Sequence, residues 1–157
     1  MTVYVGIDPG LSGAVAFIGE DGALAVVDTP VAVVKGTRRV YLVGSMAGLL
    51  RVGADHTHVA ALESGIPMPR QASNTTYLLG KGGGLWEGML AMAGIPYDLV
   101  TPQKWKKTLG IPSGSDKGAS RALASQLFPA QADLFARVKD DGRAEAALLA
   151  EYRRRIG

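Results

Sequence analysis

The first thirty residues constrain the fold more tightly than any other stretch of the chain. Thr2 to Asp8 is rich in β-branched and aromatic residues and stops at Pro9-Gly10. Ala14 to Ile18 and Ala23 to Asp28 are two further short apolar runs, separated by Gly19-Glu20-Asp21-Gly22 and closed by Pro30. Runs this brief, punctuated by Gly and Pro, read as strands rather than helices. Joined by tight Gly-containing turns, they predict a three-stranded antiparallel meander. Beyond it the pattern changes. Leu42, Met46, Leu49 and Leu50 repeat at helical spacing, and Thr57 to Leu62 reads as a buried strand ending at Glu63-Ser64-Gly65.

Asn74 opens a long helical pattern to Ala93, with Leu78, Leu79, Leu85, Trp86, Met89 and Leu90 among its apolar positions. Gly80, Gly82, Gly83 and Gly84 interrupt it, each costing about 1 kcal/mol against alanine in a helix interior. Either the helix breaks there, or the glycines admit another backbone at close range. Ile95 to Val100 reads as a fifth strand, and Thr101-Pro102 as the start of a short helix through Trp105 and Leu109. Further helices are expected over 115–127 and from Asp140 or Asp141 to about Arg155. Three antiparallel strands followed by alternating helix and strand predict an α/β fold with a five-stranded mixed sheet.

A chain of 157 residues with 47 % apolar and 20 % charged side chains fits one folded domain, expected over 1–157. It has no cysteine, which removes disulfides, thiolate metal sites and a cysteine nucleophile. Its two histidines, His56 and His58, stand two positions apart and read as surface residues. No apolar run approaches the roughly 20 residues that span a bilayer, and Met1-Thr2-Val3-Tyr4 lacks a signal-peptide layout. A soluble cytoplasmic protein without membrane attachment is expected. The net charge of +3 is small, but its distribution is uneven. Lys104, Lys106, Lys107, Lys117 and Arg121 face only Asp116 between positions 104 and 121, and Arg153, Arg154 and Arg155 sit near the terminus.

Acidic residues stand at the ends of elements. Asp8 ends the first strand and Glu63 the fourth, while Asp141 and Glu145, four apart, share one face of the last helix. Each has an ordinary explanation: a turn residue, a strand-end charge, a helix cap. Strand ends on one sheet edge converge, however, so the four carboxylates can meet. Burying them together without cations costs several kcal/mol. No cationic side chain is expected among them. An all-oxygen cluster suits Mg²⁺ or Mn²⁺, and two such ions about 4 Å apart can activate a water and stabilise a leaving 3′ oxygen.

Four ordered segments carry a family resemblance: Gly6-Ile7-Asp8-Pro9-Gly10 with Ser12-Gly13, the strand-end Glu63, Thr101-Pro102-Gln103-Lys104-Trp105-Lys106, and Lys139-Asp140-Asp141-Gly142-Arg143-Ala144-Glu145-Ala146. In this order, over nearly the whole chain, they resemble the RuvC-type Holliday-junction resolvases, particularly compact phage-borne forms. The resemblance implies a ribonuclease H-like fold, a homodimer, and a divalent-metal endonuclease that nicks two strands of a four-way DNA junction symmetrically, leaving 5′-phosphate and 3′-hydroxyl ends. It assigns Asp8, Glu63, Asp141 and Glu145 as metal-binding and catalytic acids around two ions, in the cytoplasm of a bacterium or phage-infected host. Bacterial members usually place the last two site residues three apart; here Gly142 occupies that position, so Asp140 competes with Asp141 as the third ligand. About 100° of helical rotation separates the two, and Asp141 is the one that shares a face with Glu145.

Expected DNA contacts are Lys104, Lys106, Lys107, Lys117 and Arg121, with Met68 and Arg70 in the loop that the family directs at the junction centre. Trp105 reads as a core anchor. The glycine-rich helix, with Leu85, Trp86 and Met89, is the expected dimer seam. The competing readings are a nuclease for other branched or flap DNA and a junction-binding protein that does not cleave. An actin-like or sugar-kinase nucleotide site needs two such domains, for which the chain is too short.

Overall fold

The computed structural model describes residues 1–51, 55–65 and 69–157, apart from the side chain of Lys117. The meander forms as the turn residues dictate: β1 (Thr2–Asp8), β2 (Ala14–Gly19) and β3 (Leu24–Asp28) pair antiparallel. At the β1–β2 turn the Gly13 amide donates to the Gly10 carbonyl at 2.9 Å. A Cβ at Gly13 would stand 2.0 Å from the Asp8 carbonyl oxygen, so glycine is required there.

Pro30 follows the end of β3, as expected. It leads into a hairpin, β4 (Val31–Val34) and β5 (Arg38–Tyr41), outside the main sheet. Its turn carries Lys35 at φ 44° and Gly36 at φ 83°, a left-handed pair favoured only at Gly, Asn or Asp. The short α1 (Val43–Leu49) follows, then β6 (Thr57–Glu63), α2 (Ser73–Met92), β7 (Tyr97–Val100), α3 (Pro102–Thr108), α4 (Lys117–Leu127) and α5 (Asp141–Ile156). The main sheet has the order β3-β2-β1-β6-β7, with β6 parallel to both its neighbours. This is the expected five-stranded mixed sheet, an antiparallel meander followed by parallel strands.

Helix caps follow local chemistry. Thr101 accepts from the Lys104 amide ahead of Pro102, and Asp116 accepts from the Ala119 amide at the start of α4. Helices pack on both faces of the sheet and divide the core in two. On one face α3, α4 and α5 meet Ala14, Ala16, Ile18 and Ala61; on the other α1 and α2 meet Val5, Ile7, Val15 and Leu62. Helix α5 runs across β1 almost backbone to backbone. A Cβ on Gly6 would lie 2.1 Å from the Ala146 carbonyl oxygen and 2.2 Å from the Ala150 amide nitrogen. Leu148 and Leu149 are fully buried beside those small residues, each stabilising the fold by about 1.5–3 kcal/mol.

Helix α2 is continuous through its glycines. Only Gly82 is demanded within the chain, because a Cβ there would strike the Pro9 carbonyl and the Tyr41 hydroxyl; Gly80, Gly83, Gly84 and Gly88 face open space. Trp86 is 0 % exposed and belongs to the core, so it adds no area to an outer seam. Its position on the inward face of α2 removes it from the dimer surface expected above. Among the described residues no helix is long and apolar enough to cross a membrane.

Candidate active site

Strand parity builds the first half of the site. Ile7 and Leu62 are paired across β1 and β6 and point into the α2-side core. Asp8 and Glu63 are each one residue later, so both emerge at the same sheet edge and turn to the opposite face, the one covered by α5. Glu145, one turn into α5, meets them there. One carboxylate oxygen each from Asp8, Glu63 and Glu145 lies within 4.8 Å of the others. Gly142 makes this approach possible: a Cβ would stand 2.2 Å from the Ser12 carbonyl oxygen and 3.2 Å from Asp8 Oδ2. At position 142, where the resemblance leads one to expect an acid, this chain needs an absent side chain.

The neighbouring aspartates separate cleanly. Asp140 is 2 % exposed and accepts from Arg137 at 2.8 Å and 3.0 Å, with Arg143 at 3.6 Å. The Arg137 hydrogen bonds hold its pKa down at about 2. It is committed to structure and faces away from the acids. Asp141 lines the same cleft as Asp8 and Glu145 but accepts from Arg121 Nε at 2.8 Å, and it stands outside the three-carboxylate group.

The expectation that no cation enters the cluster is therefore corrected. Helix α3 abuts the end of β6, where the buried Trp105 donates from Nε1 to Glu63 Oε2 at 2.7 Å. The next residue, Lys106, reaches Glu145 Oε1 at 3.4 Å and lies 5.1 Å from the Trp105 ring centre. Helix α4 packs along α5 and brings Arg121 to Asp141. Burial, reinforced by the Glu145 charge, pushes Glu63 up to about 7 against the opposing Trp105 hydrogen bond and Lys106 charge.

This donor set fits a hard divalent ion. It is all oxygen, and its spread is close to the roughly 3–4 Å between oxygens that share one Mg²⁺ at about 2.1 Å. A cation would also relieve the repulsion that raises Glu63. Asp8, Glu63 and Glu145 are the residues that would hold it, with Asp141 next in reach.

The expected DNA contacts divide. Lys104 and Lys107 are exposed on α3, and Arg70 is exposed with φ 66°. Lys106 and Arg121 are engaged by carboxylates. Met68 and the Lys117 side chain lie outside the described residues. The terminal arginines are also engaged: Arg154 and Arg155 clasp Glu151, and Arg153 lies 3.6 Å from Asp98. The Trp105–Glu63 hydrogen bond was not anticipated, although the motif spacing places a tryptophan just after the strand that follows Glu63. Arg39, which also lines the acidic cleft, carried no sequence signal beyond its charge, and Lys139, also in that lining, opens the last motif segment without having been singled out.

No family model matches the chain. Over 69 residues it is 38 % identical to the chloroplastic Holliday junction resolvase MOC1 of Chlamydomonas reinhardtii, a stretch that is 44 % of this chain and 8 % of that protein. The chain thus spans a small part of that relative's length. The structure of Thermus thermophilus RuvC in complex with a Holliday junction substrate superposes with a TM-score of 0.59 at 16 % identity, covering 100 % of this chain and 97 % of that one. A further T. thermophilus RuvC structure gives 0.55 at 18 % identity, covering 99 % and 96 %. The likeness to RuvC-type resolvases, carried first by ordered motifs, holds over the whole fold and within a long stretch of sequence.

Proposed function

We propose that the chain is a divalent-metal-dependent endonuclease that resolves four-way DNA junctions, with residues 1–157 acting as one nuclease domain of a homodimer. The observation that carries this reading is the convergence of Asp8, Glu63 and Glu145 at one sheet edge. The RuvC-like fold and the segment shared with an algal Holliday junction resolvase support the junction as substrate. Two Mg²⁺ ions, or Mn²⁺ in their place, supply a polarised water and charge compensation at the leaving 3′ oxygen when bound. The chain's own residues do the rest. Asp8, Glu63 and Glu145 provide the anionic floor, and Asp141 joins them from the first turn of α5. Trp105 fixes the orientation of Glu63, while Lys106 and Arg121 balance the charge of Glu145 and Asp141. Lys104, Lys107 and Arg70 offer phosphate contacts that position DNA without reading its sequence. In-line attack on phosphorus leaves 5′-phosphate and 3′-hydroxyl ends.

Two coordinated nicks in a near two-fold junction need two sites related by the same symmetry. The outer face of α2 suits the seam. Leu85, Met89 and the 89 %-exposed Met92 border a groove of about 570 Å³ against α1, beside the open faces of Gly84 and Gly88. Gel cleavage of a synthetic four-way junction, beside duplex and flap controls and with or without Mg²⁺, tests the activity. Paired symmetric nicks confined to the junction are expected. Equal cutting of plain duplex favours a general nuclease, and binding without cutting favours a junction-binding protein. Light scattering at micromolar concentration tests the dimer, and a fully active monomer removes it.

A further inference from the structure

The cleft above the acids has two walls to which the proposed chemistry assigns nothing. The first is the β4–β5 hairpin. Tyr41 anchors its end, with the hydroxyl 3.3 Å from the Pro9 carbonyl oxygen and 3.0 Å from that of Leu78, in the space that Gly82 leaves. Arg39, two residues earlier and on the same face of the strand, is exposed. Its Nη1 donates to Ser12 Oγ at 3.0 Å and to the Leu11 carbonyl at 3.4 Å. These bonds tie it to the turn that follows Asp8. Both use one nitrogen, so the guanidinium keeps further donors for an anion.

The second wall is the short turn Val138–Asp140 ahead of α5. The buried pairing of Asp140 with Arg137 and Arg143 fixes this turn, and Lys139 stands exposed on it. Arg39, Lys139, Asp8, Asp141 and Glu145 line a single cleft of about 490 Å³. An acidic floor alone repels a phosphodiester. Cations contributed to the lining by two separate elements offset that repulsion, the arginine as a planar fork for paired oxygens and the lysine as a point charge.

We propose that Arg39 and Lys139 form a two-walled clamp on backbone phosphates of the strand lying over Asp8 and Glu145, which makes the hairpin a DNA-positioning element. The clamp rests on the nuclease reading for the strand it serves, and it binds phosphates beside the one that is cut. Neither residue touches the reacting atoms, so both are positioning residues.

Junction binding in EDTA, followed by fluorescence anisotropy over a series of salt concentrations, tests the clamp without any cleavage. Arg39→Gln and Lys139→Gln should each weaken binding roughly tenfold at fixed salt and lower the log–log salt slope by about one. Arg39→Lys should keep the slope, since it keeps the charge. If loss of the Ser12 bond unfolds Arg39→Gln in a thermal melt, Lys139→Gln and Arg39→Lys still read the two walls. Affinity and slope unchanged in the folded Gln variants overturn the clamp, whatever the wild type does with Mg²⁺. Wild-type protein that binds junctions through both residues yet never cuts them overturns the nuclease reading and leaves the clamp standing. Wild-type protein that binds no DNA overturns both.

Discussion

Helix α5 carries carboxylates at both ends, and the fold treats them in opposite ways. Near its C-terminus Glu151 is 3 % exposed and clasped by Arg154 and Arg155 at 2.8 and 2.7 Å. Burial works against its ionisation, but the two arginine hydrogen bonds outweigh it and hold the pKa below the ordinary value. Near the N-terminus Glu145 is brought against Asp8 and Glu63, and among the described residues Lys106 at 3.4 Å is its ion-pair partner. An acid clasped by arginines on its own helix is part of the scaffold. Acids brought together from β1, β6 and α5 crowd like charges at one sheet edge, an arrangement that suits a metal site better than a scaffold.

The largest expected effect lies at the converging end. Asp8→Asn or Glu145→Gln should lower junction cleavage by about 10³-fold or more, a loss of about 4 kcal/mol of transition-state stabilisation, while junction binding survives. Turnover of either variant within tenfold of wild type at saturating Mg²⁺ would remove the proposed site.

The second effect is on stability and follows from Glu63. Its pKa rises from 4.5 to about 7 on folding. The folded state therefore binds that proton more tightly than the unfolded state. The contribution of Glu63 to the stability of metal-free protein should be full below the unfolded value of 4.5 and fall by about 3 kcal/mol as pH climbs to 7 and beyond. Denaturant midpoints across that range should fall for wild type and much less for Glu63→Gln, and Mg²⁺ should restore the wild type at high pH. Parallel slopes for the two proteins would show that Glu63 is not held in a protonated, crowded state.

At the scaffold end, Glu151→Gln exchanges an ionised acceptor of arginine hydrogen bonds for a neutral one. It should cost about 2 kcal/mol in urea unfolding and leave the cleavage rate per folded molecule within about twofold. A large rate loss without a stability loss would reverse the roles of the two ends. The smallest contrast sets the adjacent aspartates against each other. Asp141→Asn should slow cleavage about tenfold, or about 1.4 kcal/mol, with little change in melting. Asp140→Asn should lower stability by about 1–2 kcal/mol and leave the rate per folded molecule unchanged. The opposite ranking would transfer the ligand role to Asp140.

The meander and its acid were legible because turn chemistry is local. Gly and Pro mark where β1, β2 and β3 stop, and a strand that stops at Asp8 puts its carboxylate at a sheet edge. The β4–β5 hairpin was not legible. Its strands are four residues each and follow Pro30, and its turn uses Lys35 at positive φ rather than an Asn-Gly or Asp-Gly pair. For α2 the glycines made a break and a close approach equally consistent with sequence. Burial of Trp86 and Leu90 keeps the helix intact, and packing rather than composition put Trp86 inward. Sequence pointed to four converging acids, of which Asp8, Glu63 and Glu145 meet and Asp141 stands apart, and it gave no sign of their partners. Whether Arg121 meets Asp141, or Lys106 meets Glu145, depends on how α4 and α3 lie against α5 and the sheet edge, which no spacing along the chain encodes.

The passage of α5 over Gly6 has a consequence for the timing of synthesis. Asp8 precedes Glu145 by 137 positions. At roughly 5–20 residues per second, translation separates the two halves of the site by on the order of ten seconds. During that interval β1 has no helix to close over it, and Asp8 and Glu63 stand without their third carboxylate. The three-carboxylate group therefore assembles late, in the same event that seals α5 onto the sheet, so a product truncated before α5 lacks it.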